Sequence, residues 1–306
     1  MNRLTIVLLT ALAPIAWGTT YLVTTELLPA GHPLFAGLLR SLPAGIIAVL
    51  ISRRLPHGSW WIKIFALGAL NIGAFFPLLF LAAERLPGGV AAAVAGAQPL
   101  IVLTLGALVL HELIRSVTAA AAVVGAGGVA MVVVGPAAEL DAWGILAALG
   151  GVAATGVGMI LTKRWGRPVG VGPVAYAGWQ LTAGGLLLLP ITLLAEGVPS
   201  TIDGGAILGY IWLGTAGGIV AYTLWFRGIQ LLPVIAPGLL ALLSPIVATL
   251  LGVLIAGERF TSLQALGFVL TIAALIIGQI FARPTQRDVT ARTDGSAASP
   301  VVTARV

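Results

Sequence analysis

The chain has no cysteine, and its 306 residues include only 3 histidines. Without cysteine there is no disulfide, no thiolate nucleophile and no Cys-ligated metal. His32, His57 and His111 are scattered and propose no metal site. Charge is scarce as well: 8% of the residues are Asp, Glu, Lys or Arg, against about 25% in an ordinary soluble domain. With 59% hydrophobic residues, the chain omits more charge than water permits, so lipid is its main solvent. No HExxH, nucleotide-binding motif or paired buried carboxylate occurs. An ATP-driven pump on this chain alone is excluded, no cofactor is called for, and the chain reads as something other than an enzyme. The glycine-rich runs are not phosphate loops, because none follows a strand or opens a soluble helix.

Long apolar runs fill the space that charge leaves. They fall at roughly 4–26, 33–52, 62–83, 88–110, 116–136, 142–162, 172–195, 204–226, 233–256 and 262–282. Each reaches or nears the ~20 residues a helix needs to cross a bilayer, and lipid admits only helices or closed barrels. No alternating barrel pattern occurs, so the sequence predicts an all-α membrane protein of ten transmembrane helices. The first run is too long for a signal peptide and lacks a small-x-small cleavage site, so it is a retained span. Residues 283–306 are polar, small and basic, and are expected to form a disordered cytoplasmic tail.

Basic residues orient the spans. With the N-terminus in the cytoplasm, every Lys and Arg except Arg40, Arg85 and Arg259 lies on the cytoplasmic side. Glu26, Glu84, Glu139, Asp141, Glu196, Asp203 and Glu258 fall outside. The net charge of +6 is therefore topological rather than a nucleic-acid surface. Both termini are expected in the cytoplasm.

A repeat runs through these spans. Leu86-Pro87 through Glu112 recurs without a gap as Leu232-Pro233 through Glu258, 146 residues downstream. At that offset Phe80 meets Phe226, Pro99 meets Pro245 and Glu112 meets Glu258. The unit is five helices, and five is odd, so the second copy enters the membrane from the opposite side. The expected units are residues 1–137 and 138–282, two inverted five-helix repeats. Inverted halves can exchange conformations about a shared midplane site.

Trp17-Gly18 in helix 1, Arg40 in helix 2, Gln98-Pro99 with His111-Glu112 in helix 4 and Ser244-Pro245 with Gly257-Glu258 in helix 9 carry a family resemblance. Ten spans with this duplication resemble the drug/metabolite transporter superfamily, specifically the EamA family of bacterial exporters. The stretches WGTTYLVTTELLP, LPGGVAA and LWFRGI are most similar to its pigment and metabolite efflux subgroup. The resemblance covers residues 4–282. It implies a bacterial inner-membrane location, a central cavity between the halves and export of small metabolites, often amino acids or related compounds.

Several side chains are candidates for a substrate site. Arg40 sits roughly 10 Å below the outer end of helix 2, where a charge is costly unless paired or wet. It reads as a clamp for a substrate carboxylate or a gate partner of Glu26; snorkelling to the headgroups is the alternative. Trp17, Thr19, Thr20 and Tyr21 form a polar-aromatic cluster in helix 1, read as a cavity wall or as helix packing. Asn71 with Phe75 and Phe76 in helix 3 could meet a zwitterion or tie two helices. Gln98-Pro99 and Ser244-Pro245 hold equivalent midplane positions, where proline removes a backbone donor and breaks the helix. Trp179 and Gln180 in helix 7, beside Tyr176, and Tyr222 and Trp225 in helix 8 add aromatic and polar surface.

The leading reading is a secondary transporter that exports small organic metabolites by alternating access. Its partners are a small-molecule substrate and the lipid bilayer; a proton, a counter-substrate and a homodimer are left open. Proton exchange would have to use Glu26, a histidine or the substrate, since no carboxylate sits mid-helix. The alternatives are an exchanger of phosphorylated or nucleotide-linked metabolites and a non-transporting regulator on a transporter scaffold.

Overall fold

A computed structural model describes residues 1–85, 94–133, 141–255 and 261–282, without the side chains of Tyr21, Ala83, Glu84 and Val133. The first residues of the upstream repeat copy, Glu258, the expected tail and the Tyr21 side chain lie outside this description. Among the described residues every regular element is helical. The order is α1 (Arg3–Leu27), α2 (Pro33–Ser52), α3 (Trp60–Gly68), α4 (Phe75–Arg85), α5 (Gln98–Leu110), α6 (Ser116–Val133), α7 (Ala142–Trp165), α8 (Pro173–Ala195), α9 (Gly204–Gly214), α10 (Ala221–Leu231), α11 (Ile235–Leu240), α12 (Leu243–Leu254) and α13 (Ser262–Phe281). Eight helices among these residues are long and apolar enough to cross a membrane, and two shorter apolar ones, Gln98–Leu110 and Ser116–Val132, complete the ten crossings.

Local chemistry sets the ends. Asn2, Asp141 and Asp203 each accept a backbone N–H of the first turn they precede, at 2.7–2.8 Å. Thr261 and Gln264 cap α13 reciprocally. Pro33 and Pro173 occupy the first positions of α2 and α8, where the missing N–H costs nothing. These caps fix where each crossing starts.

Two crossings switch helix type in mid-membrane. A π-helical segment, Ala69–Gly73, joins α3 to α4, and a second, Thr215–Val220, joins α9 to α10. They begin 146 residues apart, so the repeat is conformational as well as compositional. π-bulges disturb the backbone ladder and are frequent at functional sites. A second pair of irregularities adjoins the prolines. Ala241-Leu242 forms a turn between α11 and α12, and Gly96-Ala97 forms one before α5. The break lies immediately before Pro245 and Pro99, and Ala241 O, which Pro245 cannot serve, accepts from Ser244 N at 3.1 Å.

The helices associate as an inverted duplication requires. α1 packs on α10 and α12 of the other half, just as α7 packs on α4 and α5. The extensive seams join repeat partners, α2 with α8 and α6 with α13. Without a hydrophobic drive between lipid-solvated helices, close approach at small residues holds such seams. A Cβ on Gly45 of α2 would lie 2.8 Å from the Leu181 carbonyl carbon of α8, and one on Gly185 would lie 2.7 Å from Leu42 Cβ. Gly267 of α13 meets Met131 of α6 in the same way, at 2.7 Å.

The two faces of the bundle are tied by side chains on helix ends. On the face that carries the N-terminus, Glu112 Oε1 accepts from Val234 N at 3.2 Å. There Lys163 donates to Leu232 O at 2.7 Å, and Arg3 to Gln279 O at 2.5 Å. On the opposite face Glu196 accepts from Leu34 N and Phe35 N at 2.9 and 3.0 Å. Carboxylates at N-termini and cations at C-termini match the helix dipoles.

Glycine contacts should dominate stability at the seams. Gly45→Leu is expected to destabilise the protein by about 1–3 kcal/mol through overpacking, read as a lower melting temperature in detergent. Gly127→Ala, where nothing lies within 4 Å, is expected to leave melting unchanged or raise it, because alanine is the better helix former. Equal losses at both sites would contradict this account of the seam.

Candidate translocation site

The first polar centre forms around Arg40, the eighth residue of α2. Its Nε and Nη2 donate to Gly217 O at 3.2 and 3.1 Å, and Nη1 donates to Thr20 Oγ1 at 3.4 Å. Trp17 Nε1 donates to the same carbonyl at 3.0 Å. Gly217 lies in the π segment Thr215–Val220, whose wider register turns this oxygen to side-chain donors. The rings of Trp17, Phe76 and Tyr222 surround the guanidinium, with centroids 5.8–5.9 Å from Cζ. Such ring faces stabilise a desolvated cation.

The second centre is the repeat counterpart of the first. Gln180 is the eighth residue of α8, as Arg40 is of α2. It reaches Asn71 in the other π segment, whose Nδ2 donates to Gln180 Oε1 at 2.8 Å. Asn71 and Gly217 are themselves 146 residues apart. A Cβ on Gly158 would lie 2.7 Å from Asn71 Cγ, so α7 presses against this pair. Next to it, Gln98 Nε2 lies 3.3 Å from Met159 Sδ. Leu42 of α2 is level with Gly185 of α8 and Ala48 with Gly178. Arg40 and Gln180 are therefore about 10 Å apart along the bundle at 1.5 Å per residue.

The expected side chains thus divide between two centres. Arg40, Trp17, Thr20 and Tyr222 meet at one, and Asn71, Gln180 and Gln98 at the other. Trp179 belongs to neither: its Nε1 donates to Arg54 O at 2.8 Å and ties α8 to the end of α2. Phe75 packs on Phe76, 5.5 Å between centroids, and it is Phe76 that reaches Arg40. Ser244 contributes its carbonyl, which a Cβ on Gly18 would approach to 2.7 Å. Glu26 is exposed in the last turn of α1, away from buried Arg40.

The resemblance implies a central cavity, but the described residues fill that space. Arg40 and Asn71 are each 6% exposed and Gln180 is 0% exposed. Ring side chains occupy the room around Arg40, and the ties on both faces hold the ends together, so the arrangement is occluded. The sequence reading missed Gly217 as a partner. The signal lay in its 146-residue match to Asn71 and in the shorter, 140-residue offset that aligns α2 with α8 from Pro33 and Pro173. What the two centres can do is hold polar groups: a fork of guanidinium donors at one level and an amide pair at another. Among the described residues no group of His, Asp or Glu could hold a metal ion.

Known proteins agree with this architecture. A model of the EamA-like transporter family matches residues 4–134 and 142–278. Protein PecM of Dickeya dadantii (strain 3937) is 44% identical over 267 residues, covering 87% of this chain and 90% of that protein. The uncharacterized inner membrane transporter YedA of Escherichia coli (strain K12) is 28% identical over 276 residues, 86% of this chain and 87% of its own length. A crystal structure of another protein aligns over 92% of this chain and 100% of that chain with a TM-score of 0.77 and 22% identity.

The Asn71–Gln180 bond should be energetically coupled. Asn71→Leu and Gln180→Leu are each expected to cost about 1–2 kcal/mol, and the double variant less than their sum by about 0.6 kcal/mol or more. Unfolding in mixed detergent measures the cycle. Additive losses would show that the two amides act independently.

Proposed function

This chain belongs to the EamA-like transporter family, and on that premise we propose that it exports small organic metabolites, amino acids or related compounds, as a secondary transporter working by alternating access. It is a multi-pass membrane transporter of small molecules; cargo, direction and mechanism are the proposed part. The observation that carries the reading is the pair of repeat-related centres. Arg40 on Gly217 and Gln180 on Asn71 each bridge one half of the protein to the other.

Each half can take the other's conformation, because the helix pairs are exchanged by the repeat. One conformation exposes the Arg40 level and the other the Gln180 level, and the occluded arrangement lies between them. Arg40 would hold a substrate carboxylate, since a guanidinium binds one with two parallel donors. Thr20 and the rings of Trp17, Phe76 and Tyr222 would line the solute, with Tyr21 on the same helix. Asn71, Gln180 and Gln98 would meet it at the second level. The breaks before Pro99 and Pro245, beside Ser244, give α5 and α12 points to bend, and Glu26 would stand at the mouth. We place the protein in a bacterial inner membrane with both termini cytoplasmic, as the distribution of Lys and Arg favours.

Reconstituted protein should release a loaded amino acid, purine or pigment faster than empty liposomes do. Arg40→Ala should reduce that rate about tenfold or more, because the charge-assisted contact is lost, while membrane expression persists. No movement of any panel member would refute export of these classes, and unchanged transport by Arg40→Ala would remove Arg40 from the mechanism.

A further inference from the structure

On the face that carries the N-terminus, four elements turn buried polar atoms toward one another. The Tyr176 hydroxyl comes from the first turn of α8, on a side chain 1% exposed. Thr162 Oγ1, 0% exposed, comes from the last turn of α7. Gln230 Nε2 comes from the last turn of α10, and Arg167 Nη1 from the loop between α7 and α8. All four atoms are buried and none makes a hydrogen bond. Yet Thr162 and Gln230 face the Tyr176 hydroxyl, and the Arg167 guanidinium acts on it through space. Buried polar groups are normally satisfied, so this convergence marks a place that something else completes.

The chemistry of the set is one-sided. A phenol O–H, an amide NH₂ and a guanidinium are donors, and only the hydroxyls can also accept. A water molecule has two lone pairs, too few for four donors. Charge leans the same way: burial, and then the neighbouring Arg227, lower the Arg167 pKa from the ordinary arginine value. Lys163 lies alongside, on Gln230 O. Convergent donors next to crowded cations complement an oxyanion.

The cluster also adjoins a route inward. The Tyr176 ring meets Phe226 at 6.2 Å, Phe226 meets Tyr222 at 5.6 Å, and Tyr222 meets Trp17 at 5.1 Å beside Arg40. One turn along α8 from Tyr176 lies Gln180, whose Nε2 is likewise buried without a partner.

We propose that Tyr176, Thr162, Gln230 and Arg167 form a loading site for the oxyanion of the transported solute, from which it passes along this aromatic ladder to Arg40. The role as a loading site rests on the exporter reading; the binding of an oxyanion there does not. An oxyanion can come from a solute carboxylate or from an anionic lipid headgroup, and the site is assigned to the solute.

Equilibrium binding to the full chain in phosphatidylcholine nanodiscs tests this without transport. The probe is benzoate, with neutral benzamide as control, in the Arg40→Ala background so that Arg40 makes no contribution. Benzoate should bind and benzamide should not. Tyr176→Phe, which keeps the ring contacts, and Arg167→Gln should each weaken benzoate about tenfold, the loss expected for one hydrogen bond to a charged group. Gln230→Glu places a carboxylate among the donors and should raise the melting temperature while abolishing the benzoate response. Absence of benzoate binding, equal binding of benzamide, or indifference to Tyr176→Phe would overturn the site. Loss of benzoate binding when phosphatidylglycerol is added would assign the cluster to a headgroup and also overturn it. Normal benzoate binding in a protein that moves no solute would instead sink the exporter reading and leave the oxyanion site standing.

Discussion

In a bilayer no water reaches the middle of a helix, so a backbone carbonyl or a buried charge must be answered from within the protein. At Gly217 one carbonyl takes donors from Arg40 and from Trp17. The π register of Thr215–Val220 frees the oxygen, and the oxygen in turn makes a buried arginine tolerable. Remove either and the other becomes a polar group stranded in hydrocarbon. Because Arg40 belongs to the first half and Gly217 to the second, this interaction also fixes how the halves sit against each other.

The repeat supplies the same device a second time in neutral form. Gln180 answers Asn71 where Arg40 answers Gly217, from the same position in its helix and against the equivalent π segment. An inverted fold with two such bridges has two nearly equivalent ways to arrange its halves. Their difference in charge makes the two levels chemically distinct, one suited to an anion and one to a neutral polar group. The glycine contacts between α2 and α8 place the bridges on one seam. The carboxylates of Glu112 and Glu196 close the two ends on helix N-termini, contacts that rigid-body rocking can break one face at a time.

Part of this was legible in the sequence. Arg40 stood out because a charge inside a span demands a reason, and Trp17, Thr20 and Tyr222 do gather around it. Pro99 and Pro245 marked real breaks, since proline cannot continue the helical ladder, although each turn falls just before its proline. Gln180 and Asn71 were visible singly but not as a pair. A six-residue difference between the two repeat offsets hides the match of α2 with α8. Trp179 and Phe75 went elsewhere because helical spacing tells which residues share a face and not which neighbour that face meets. Thr162 and Gln230 carried no signal at all; a polar residue at a helix end is ordinary until tertiary folding buries it. The occluded middle could not be read either, because a transporter's sequence encodes all its states and a structure holds one.

The central claim is that the two faces open in alternation. The chain has no cysteine, so paired labels can be introduced without removing native thiols. Spin labels at His57 and Val169 would report one face, and labels at Ala30 and Ser200 the other, by double electron–electron resonance in nanodiscs. The expected result is two distance distributions that shift in opposite senses when solute is added, one widening as the other narrows. Distances that stay fixed, or that widen together, would contradict alternating access and with it the exchange of the two repeat-related bridges.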